Sequence, residues 1–331
     1  MILNTVVKSL FSITPNPALD LGGTVDRIVP DEKNYVEGET RFPGGNAINA
    51  ARIIHRLGHA VELSGFLGGG IGNEIQGLLD NEGLKTRFIP VAESTRINIT
   101  ISNLNHHQTR LSYPGPNISA SECGDLKDYI QRIQPGSLVM FGGSFPPGVG
   151  AEFLTEMLEM LAEMDCECVV DVPRPLLKSA TVAPRPPLLI KPNLTEFQQL
   201  LGKKVASRQE VTTEARALTP RIPLVCVSSV EGGAILATPY GSWFGQIPKF
   251  QVNSTVGAGD SMVGAMCAQL SQWNFQTRSD ANFAPQVTQR GANLLQWGLA
   301  AACATLQVHG TELGQADEIR RFLGLIRTER V

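Results

Sequence analysis

Short apolar runs that stop abruptly on small or polar residues recur along the second half of the chain. Leu138-Val139-Met140-Phe141 runs into Gly142-Gly143-Ser144, and Cys168-Val169-Val170 runs into Asp171. Leu188-Leu189-Ile190 meets Lys191-Pro192-Asn193, and Leu224-Val225-Cys226-Val227 meets Ser228-Ser229. Runs this short and continuous predict strands covered on both faces, the condition of a parallel sheet. Helical patterns lie between them over 151–164 and 195–201, the second followed by Gly202 as a C-terminal cap. Strands alternating with helices predict a doubly wound α/β fold, whose ligands gather at the carboxyl ends of the strands. Ser144, Asp171, Lys191, Asn193 and Ser228 all fall at such ends, so the pattern predicts one shared cleft.

The period changes over 96–113. Ile97, Ile99 and Ile101 alternate with Asn98, Thr100 and Ser102; the residues 103–107 read as a turn, and 108–113 as a returning strand. That is the pattern of a half-buried antiparallel hairpin. The segment 21–42 also lacks helical periodicity and is expected to add strands to it. Together they predict a small sheet projecting as a lid. His106 and His107 sit in the turn, where a solvated loop is the simpler reading than a metal site.

Composition narrows the function. The 331 residues are 42% hydrophobic and 18% charged with a net charge of −3, which suits a large globular core and gives no electrostatic footprint for nucleic acid. Six cysteines form no C-x-x-C pair and read as thiols of a reducing cytosol. Lys8 interrupts the first apolar stretch, so no signal peptide is expected, and the charge-free stretch 291–311 reads as a core helix and not a membrane span. A cytoplasmic location is expected.

Three segments carry candidate chemistry. Thr255-Val256-Gly257-Ala258-Gly259-Asp260-Ser261 precedes a helical pattern rich in small residues. Glycines at a helix start let backbone N–H groups converge on an anion, which phosphoryl transfer requires, and Asp260 offers a carboxylate kept ionised by the helix dipole. An ordinary acidic helix start fits the same residues. Phe42-Pro43-Gly44-Gly45-Asn46-Ala47-Ile48-Asn49 puts a glycine pair before a helix, with Asn49 one turn in and suited to a sugar hydroxyl. A plain loop-to-helix turn is the alternative. Lys191-Pro192-Asn193-Leu194-Thr195-Glu196 sets an amide and a carboxylate three apart at a helix entry. That pair suits hydrated Mg²⁺, and equally a helix cap. No P-loop and no dinucleotide fingerprint is present, and Pro146 spoils the nucleophile elbow begun at Gly142.

These segments, in this order, resemble the ribokinase-like (PfkB) carbohydrate kinase family from Thr14 to about Thr311. Thr14-Pro15-Asn16-Pro17-Ala18-Leu19-Asp20 and Gly142-Gly143-Ser144-Phe145-Pro146-Pro147-Gly148 look like the motifs of its sugar-phosphate branch. The resemblance implies one domain over 1–331: an α/β/α sandwich with a mostly parallel central sheet and a β lid formed by about 21–42 and 96–113, the lid also being a homodimer contact. It implies an ATP- and Mg²⁺-dependent kinase acting on a hexose phosphate. Fructose 6-phosphate is the favoured acceptor, with tagatose 6-phosphate or fructose 1-phosphate as alternatives; the reading from another class is a sugar-phosphate-binding regulator. It implies Asp260 as base and Gly257, Ala258 and Gly259 as its anion hole. Asp20, Gly44, Gly45 and Asn49 would bind the sugar; Arg96, Lys33 and Ser144 would hold its existing phosphate. Lys191, Asn193, Ser228 and Gly233 would contact the nucleotide, and Glu196 with Asn193 would hold Mg²⁺ through water.

Three departures stand out. Val230 occupies a place where the family carries glycine, and a branched side chain there is expected to crowd the nucleotide or restrict its loop. Asn46 stands where members acting on the two alternative acceptors often carry lysine. The turn Leu306-Gln307-Val308-His309-Gly310 is one residue longer than its counterpart; it borders the place of a monovalent cation, which is left unassigned.

Overall fold

The structure is a computed structural model and describes residues 7–103 and 107–331; His106 of the histidine pair lies outside the described residues. The strands are β1 (Leu10–Thr14), β2 (Ala18–Thr24), β3 (Glu37–Gly44), β4 (Val61–Leu67), β5 (Lys85–Thr86), β6 (Ile89–Pro90), β7 (Arg96–Ser102) and β8 (Gln108–Ser112). They continue as β9 (Leu138–Gly142), β10 (Glu167–Asp171), β11 (Leu189–Ile190), β12 (Leu224–Val230), β13 (Gly233–Thr238), β14 (Gly241–Gln246) and β15 (Arg327–Arg330). The helices are α1 (Asn46–Arg56), α2 (Gly69–Asn81), α3 (Ala120–Ile130), α4 (Ala151–Glu163) and α5 (Arg174–Val182). They continue as α6 (Leu194–Leu201), α7 (Arg208–Leu218), α8 (Ala258–Leu270), α9 (Phe283–Leu306) and α10 (Ala316–Leu323).

The large sheet runs β15-β14-β13-β12-β11-β10-β9-β1-β4-β5, with β6 beside β4. It is parallel from β12 to β5 and antiparallel from β12 to β15. Its strands are covered on both faces, as their unbroken apolar runs require. In β9, Leu138 and Met140 enter one buried cluster, Val139 and Phe141 the other. Helices α1, α2, α8, α9 and α10 pack on the first face and α3 to α7 on the second. This is the α/β/α sandwich the pattern predicts. The antiparallel extension β13–β15 was not foreseen.

A second sheet orders β3-β2-β7-β8. The predicted hairpin is the antiparallel pair β7–β8, with Ile99 opposite Leu111. The companion strands run over Ala18–Thr24 and Glu37–Gly44, with an irregular stretch between, so the sheet starts earlier than the expected 21–42. β2 therefore begins soon after β1 leaves the large sheet, and it holds Asp20 in the small one.

Three further expectations meet the structure here. α6 begins at Leu194, one residue early, and ends on Gly202 in the left-handed region at φ 68°. The charge-free stretch is helical only to Leu306, and no helix among the described residues is long and apolar enough to cross a membrane. Val230 does not project into a loop. It closes β12 with its side chain fully buried in the second cluster, and the left-handed backbone falls on Ser229 and Glu231 on either side of it. The expected crowding at Val230 is thereby corrected: the register of β12 shifts between Ser228 and Val230, with Ser229 left-handed, and that irregularity puts the branched side chain on the same buried face as Val225 and Val227.

α1 and α8 lie very close. A Cβ on Gly264 of α8 would sit 2.5 Å from the Ala50 carbonyl oxygen in α1. Only glycine permits that approach without moving backbone. Gly264→Val is expected to destabilise the fold by about 1–3 kcal/mol through forced separation of the two helices, read as a lowered midpoint in chemical denaturation.

Candidate active site

The parallel strands all end at one edge, and that edge gathers Gly142, Asp171, Lys191 and Ser228. α8 enters beside it. Gly257 precedes the helix at φ 74°, a left-handed turn that glycine adopts without strain. Ala258 and Gly259 open the helix and Asp260 lies in its first turn.

Asp260 is held from across the α1–α8 contact. Asn49 Nδ2 donates to Asp260 Oδ2 at 2.8 Å. Enclosure pushes the Asp260 carboxyl up to about 6; Asp171 adds to the rise, while Asn49 and Lys191 oppose it. The helix dipole alone would have favoured a strongly acidic group. Desolvation is the larger effect and sets the direction of the shift. A carboxyl near 6 is still mostly ionised at neutral pH and is basic enough to accept a proton.

Lys191 is the cation of this cluster. It is buried, its Nζ 3.5 Å from Asp171 Oδ1. Burial works against its charge, but Asp171, Asp260 and Glu196 together raise its pKa above the usual lysine value. A Cβ on Gly259 would stand 3.1 Å from Lys191 Nζ. The absent side chain therefore leaves the ammonium facing the first turn of α8, where the backbone N–H groups are. A fixed cation and helix N–H groups converging on one space form an anion cradle.

A second group of polar side chains sits where β2 meets the small sheet. A Cβ on Gly44 would fall 2.3 Å from the Asp20 carboxyl carbon, so glycine is needed for Asp20 to lie against that backbone. Gly45 precedes α1 at φ 122°. Asn98 Nδ2 donates to Asp20 Oδ1 at 2.9 Å. Burial raises the Asp20 carboxyl, and Asn98 and Arg96 pull it back. Arg96 donates to the carbonyls of Tyr113 at 2.9 Å and Asn16 at 3.0 Å. Asn16 Nδ2 donates to Ser144 Oγ at 3.1 Å, which ties the Arg96 region to the end of β9. Arg96, Tyr113, Ser144 and Glu152 line an open groove of about 800 Å³.

The other predicted positions separate. Asn193 and Glu196 form a reciprocal cap on α6, each side chain bonded to the other's backbone N–H at 2.9 Å. Ser228 pairs with Asn193 and donates its N–H to the Pro192 carbonyl, so it borders the same turn. Gly233 lies in the sheet, where a Cβ would strike the Gly245 carbonyl oxygen at 1.9 Å; strand packing accounts for it. Lys33 is exposed between β2 and β3 and is not part of the groove lining. No group of three or more His, Cys, Asp or Glu that could hold a metal occurs among the described residues.

Asn16, Asn98 and Asp171 join the cluster without having been assigned a role from sequence. Asn98 reads as one polar face of an alternating strand; only the pairing of β7 with β2 puts it opposite Asp20. Asp171 was marked as a strand end, but its partner Lys191 comes from the next strand over.

The residues 16–318 match the model of the pfkB family carbohydrate kinases. The chain belongs to the pfkB family of carbohydrate kinases. It is an enzyme, and its reaction is the phosphorylation of a carbohydrate. It is 31% identical over 324 residues to the ATP-dependent 6-phosphofructokinase isozyme 2 of Mycobacterium tuberculosis, covering 96% of this chain and 89% of that one. It is 30% identical over 264 residues to the 1-phosphofructokinase of Bacillus subtilis, covering 80% and 86%. Its fold is similar to phosphofructokinase-2 from Escherichia coli crystallised with substrates and products, with a TM-score of 0.87, 26% identity and coverage of 96% and 99%.

Asn49 lowers the Asp260 pKa by donating to its charged form. Asn49→Leu is expected to move the Asp260 titration upward from about 6 by about one pH unit. Carboxyl ¹³C NMR across a pH series would read the shift directly.

Proposed function

We propose that this kinase transfers the terminal phosphoryl group of ATP to fructose 6-phosphate, giving fructose 1,6-bisphosphate. The observation that carries the reading is the placement of Asp260: bonded to Asn49 at 2.8 Å, raised to about 6, and set beside a buried lysine at a helix N-terminus. A base and an anion cradle in one place are what transfer of a phosphoryl group to a hydroxyl needs.

In this reading Asn49 occupies one oxygen of Asp260 and leaves the other to take the proton of the acceptor hydroxyl. Gly257, Ala258 and Gly259 present backbone N–H groups to the transferring oxygens, and Lys191 faces the same charge. Asp20, Gly44 and Gly45 bind the sugar hydroxyls. Arg96 and Ser144 hold the phosphate already on the sugar, a task suited to an arginine fork. Lys33, exposed in the structure, is kept as a weaker candidate for that phosphate. Asn193, Ser228 and Gly233 border the nucleotide. Glu196 spends one oxygen on the α6 cap and has a second to offer, which fits a water-mediated contact to Mg²⁺; when bound, the ion supplies neutralisation of phosphate charge. No monovalent cation site is assigned.

Two relatives of similar identity carry different phosphofructokinase names, so the acceptor rests on finer features. Asn46 in place of lysine weighs against fructose 1-phosphate and tagatose 6-phosphate. The regulator reading drew its support from Val230, and the buried orientation of that side chain removes it.

The four-stranded sheet is read as a lid that excludes water during transfer. It is also read as a homodimer contact, supported by exposed apolar side chains on its strands and loop: Tyr35 at 80%, Leu111 at 54% and Val36 at 49%. We read the protein as cytoplasmic and its six cysteines as free thiols.

ADP release across a panel of sugars and sugar phosphates tests the reading. Fructose 6-phosphate should give the highest kcat/KM. Asp260→Ala should cut kcat by about 100- to 10,000-fold. Arg96→Ala should raise KM about tenfold or more for the phosphorylated acceptor, with little effect on the plain sugar. No turnover with any acceptor sinks the proposal; unchanged turnover in Asp260→Ala sinks the base assignment.

A further inference from the structure

Two non-glycine residues near the β12–β13 turn lie in the left-handed region, Ser229 at φ 63° in the bulge of β12 and Glu231 at φ 45° in the connection to β13. Residues with side chains adopt that backbone rarely, so surrounding contacts must hold it. Glu231 Oε1 accepts the backbone N–H of Arg208, the first residue of α7, at 2.9 Å. Its Oε2 lies 3.4 Å from Arg208 Nη2. A carboxylate at a helix N-terminus also gains from the helix dipole. Arg208 is itself fixed: its guanidinium lies 3.6 Å from the centre of the Phe244 ring in β14 and pairs with Glu329 of β15. Gln246 Nε2 supports the turn by donating to the Gly232 carbonyl at 3.1 Å.

The other end of the same connection is pinned at the candidate active site. Ser228 donates its N–H to the Pro192 carbonyl at 3.0 Å and pairs with Asn193, one turn of chain from Lys191. The segment 228–232 is therefore strung between the strand-end cluster and the start of α7, with strained backbone in the middle.

We infer that Glu231, acting through Arg208, is a positioning residue that holds the 228–232 segment in the shape that receives the nucleotide. The inference rests on the reading of Ser228 as a nucleotide contact. Neither Glu231 nor Arg208 is assigned to the chemistry. The strap sets nucleotide affinity and leaves the sugar side alone.

Titration calorimetry of the full chain with ADP, without any acceptor, tests it in Glu231→Gly, Glu231→Gln and Arg208→Met. Glycine accepts the left-handed backbone, so Glu231→Gly removes the strap and relieves the strain together. ADP affinity should fall about tenfold in Glu231→Gly and Arg208→Met. It should fall less in Glu231→Gln, whose amide oxygen still accepts the Arg208 N–H. The acceptor KM, and kcat at saturating ATP, should stay within about twofold. Unchanged ADP affinity in Glu231→Gly and Arg208→Met overturns the inference. So does a parallel loss of ADP affinity, acceptor KM and thermal midpoint, which would mark a merely structural contact. If the unaltered chain binds ADP but phosphorylates no acceptor, the kinase proposal fails while the ADP titrations still decide this one.

Discussion

One hydrogen bond, from Asn49 to Asp260 at 2.8 Å, depends on nearly everything else in the structure. Its two ends are 211 residues apart in the chain. They meet because Gly264 lets α8 lie against the backbone of α1, and because both helices pack on the same face of a sheet closed on its other side by five more. The bond also fixes the balance of charge. Enclosure lifts Asp260 toward neutrality, and Asn49 and Lys191 stop the rise at about 6. Enclosure makes Asp260 a stronger base than a solvated carboxylate, and its two partners favour the ionised form.

Asp171 makes the same point from the other side. It pairs with Lys191 and so keeps a buried ammonium charged, yet its own charge also raises Asp260. The three groups form one electrostatic unit at the end of the parallel strands. The sugar side is a second unit, Asp20 with Asn98 and Arg96, reached through β2. Because β2 belongs to the small sheet, any movement of that sheet would carry Asp20 with it relative to Asp260.

Much of this was legible in the sequence because it is local. Apolar runs ending on Asp171, Lys191 and Ser228 define strand ends, and parallel strands put such ends together. The glycine turn before Asp260 was likewise visible. What could not be read was pairing across distance. Asn98 needed the β2–β7 register, and Asn16 needed its contact with Ser144. Val230 shows the opposite failure: compared by motif it looks like an intrusion into a loop, but a bulge at Ser229 shifts the strand's register and buries it. The raised pKa of Asp260 was not legible either, because the sequence does not say how enclosed a helix start will be.

The central claim is that Asp260 acts as a base whose strength is set by this enclosed cluster. The pH dependence of kcat/KM for the sugar-phosphate acceptor, at constant ionic strength, tests it most directly. The account predicts an acidic limb with its midpoint near 6, activity falling as Asp260 takes up a proton. A profile that stays flat down to about pH 5, well below that midpoint, would contradict it.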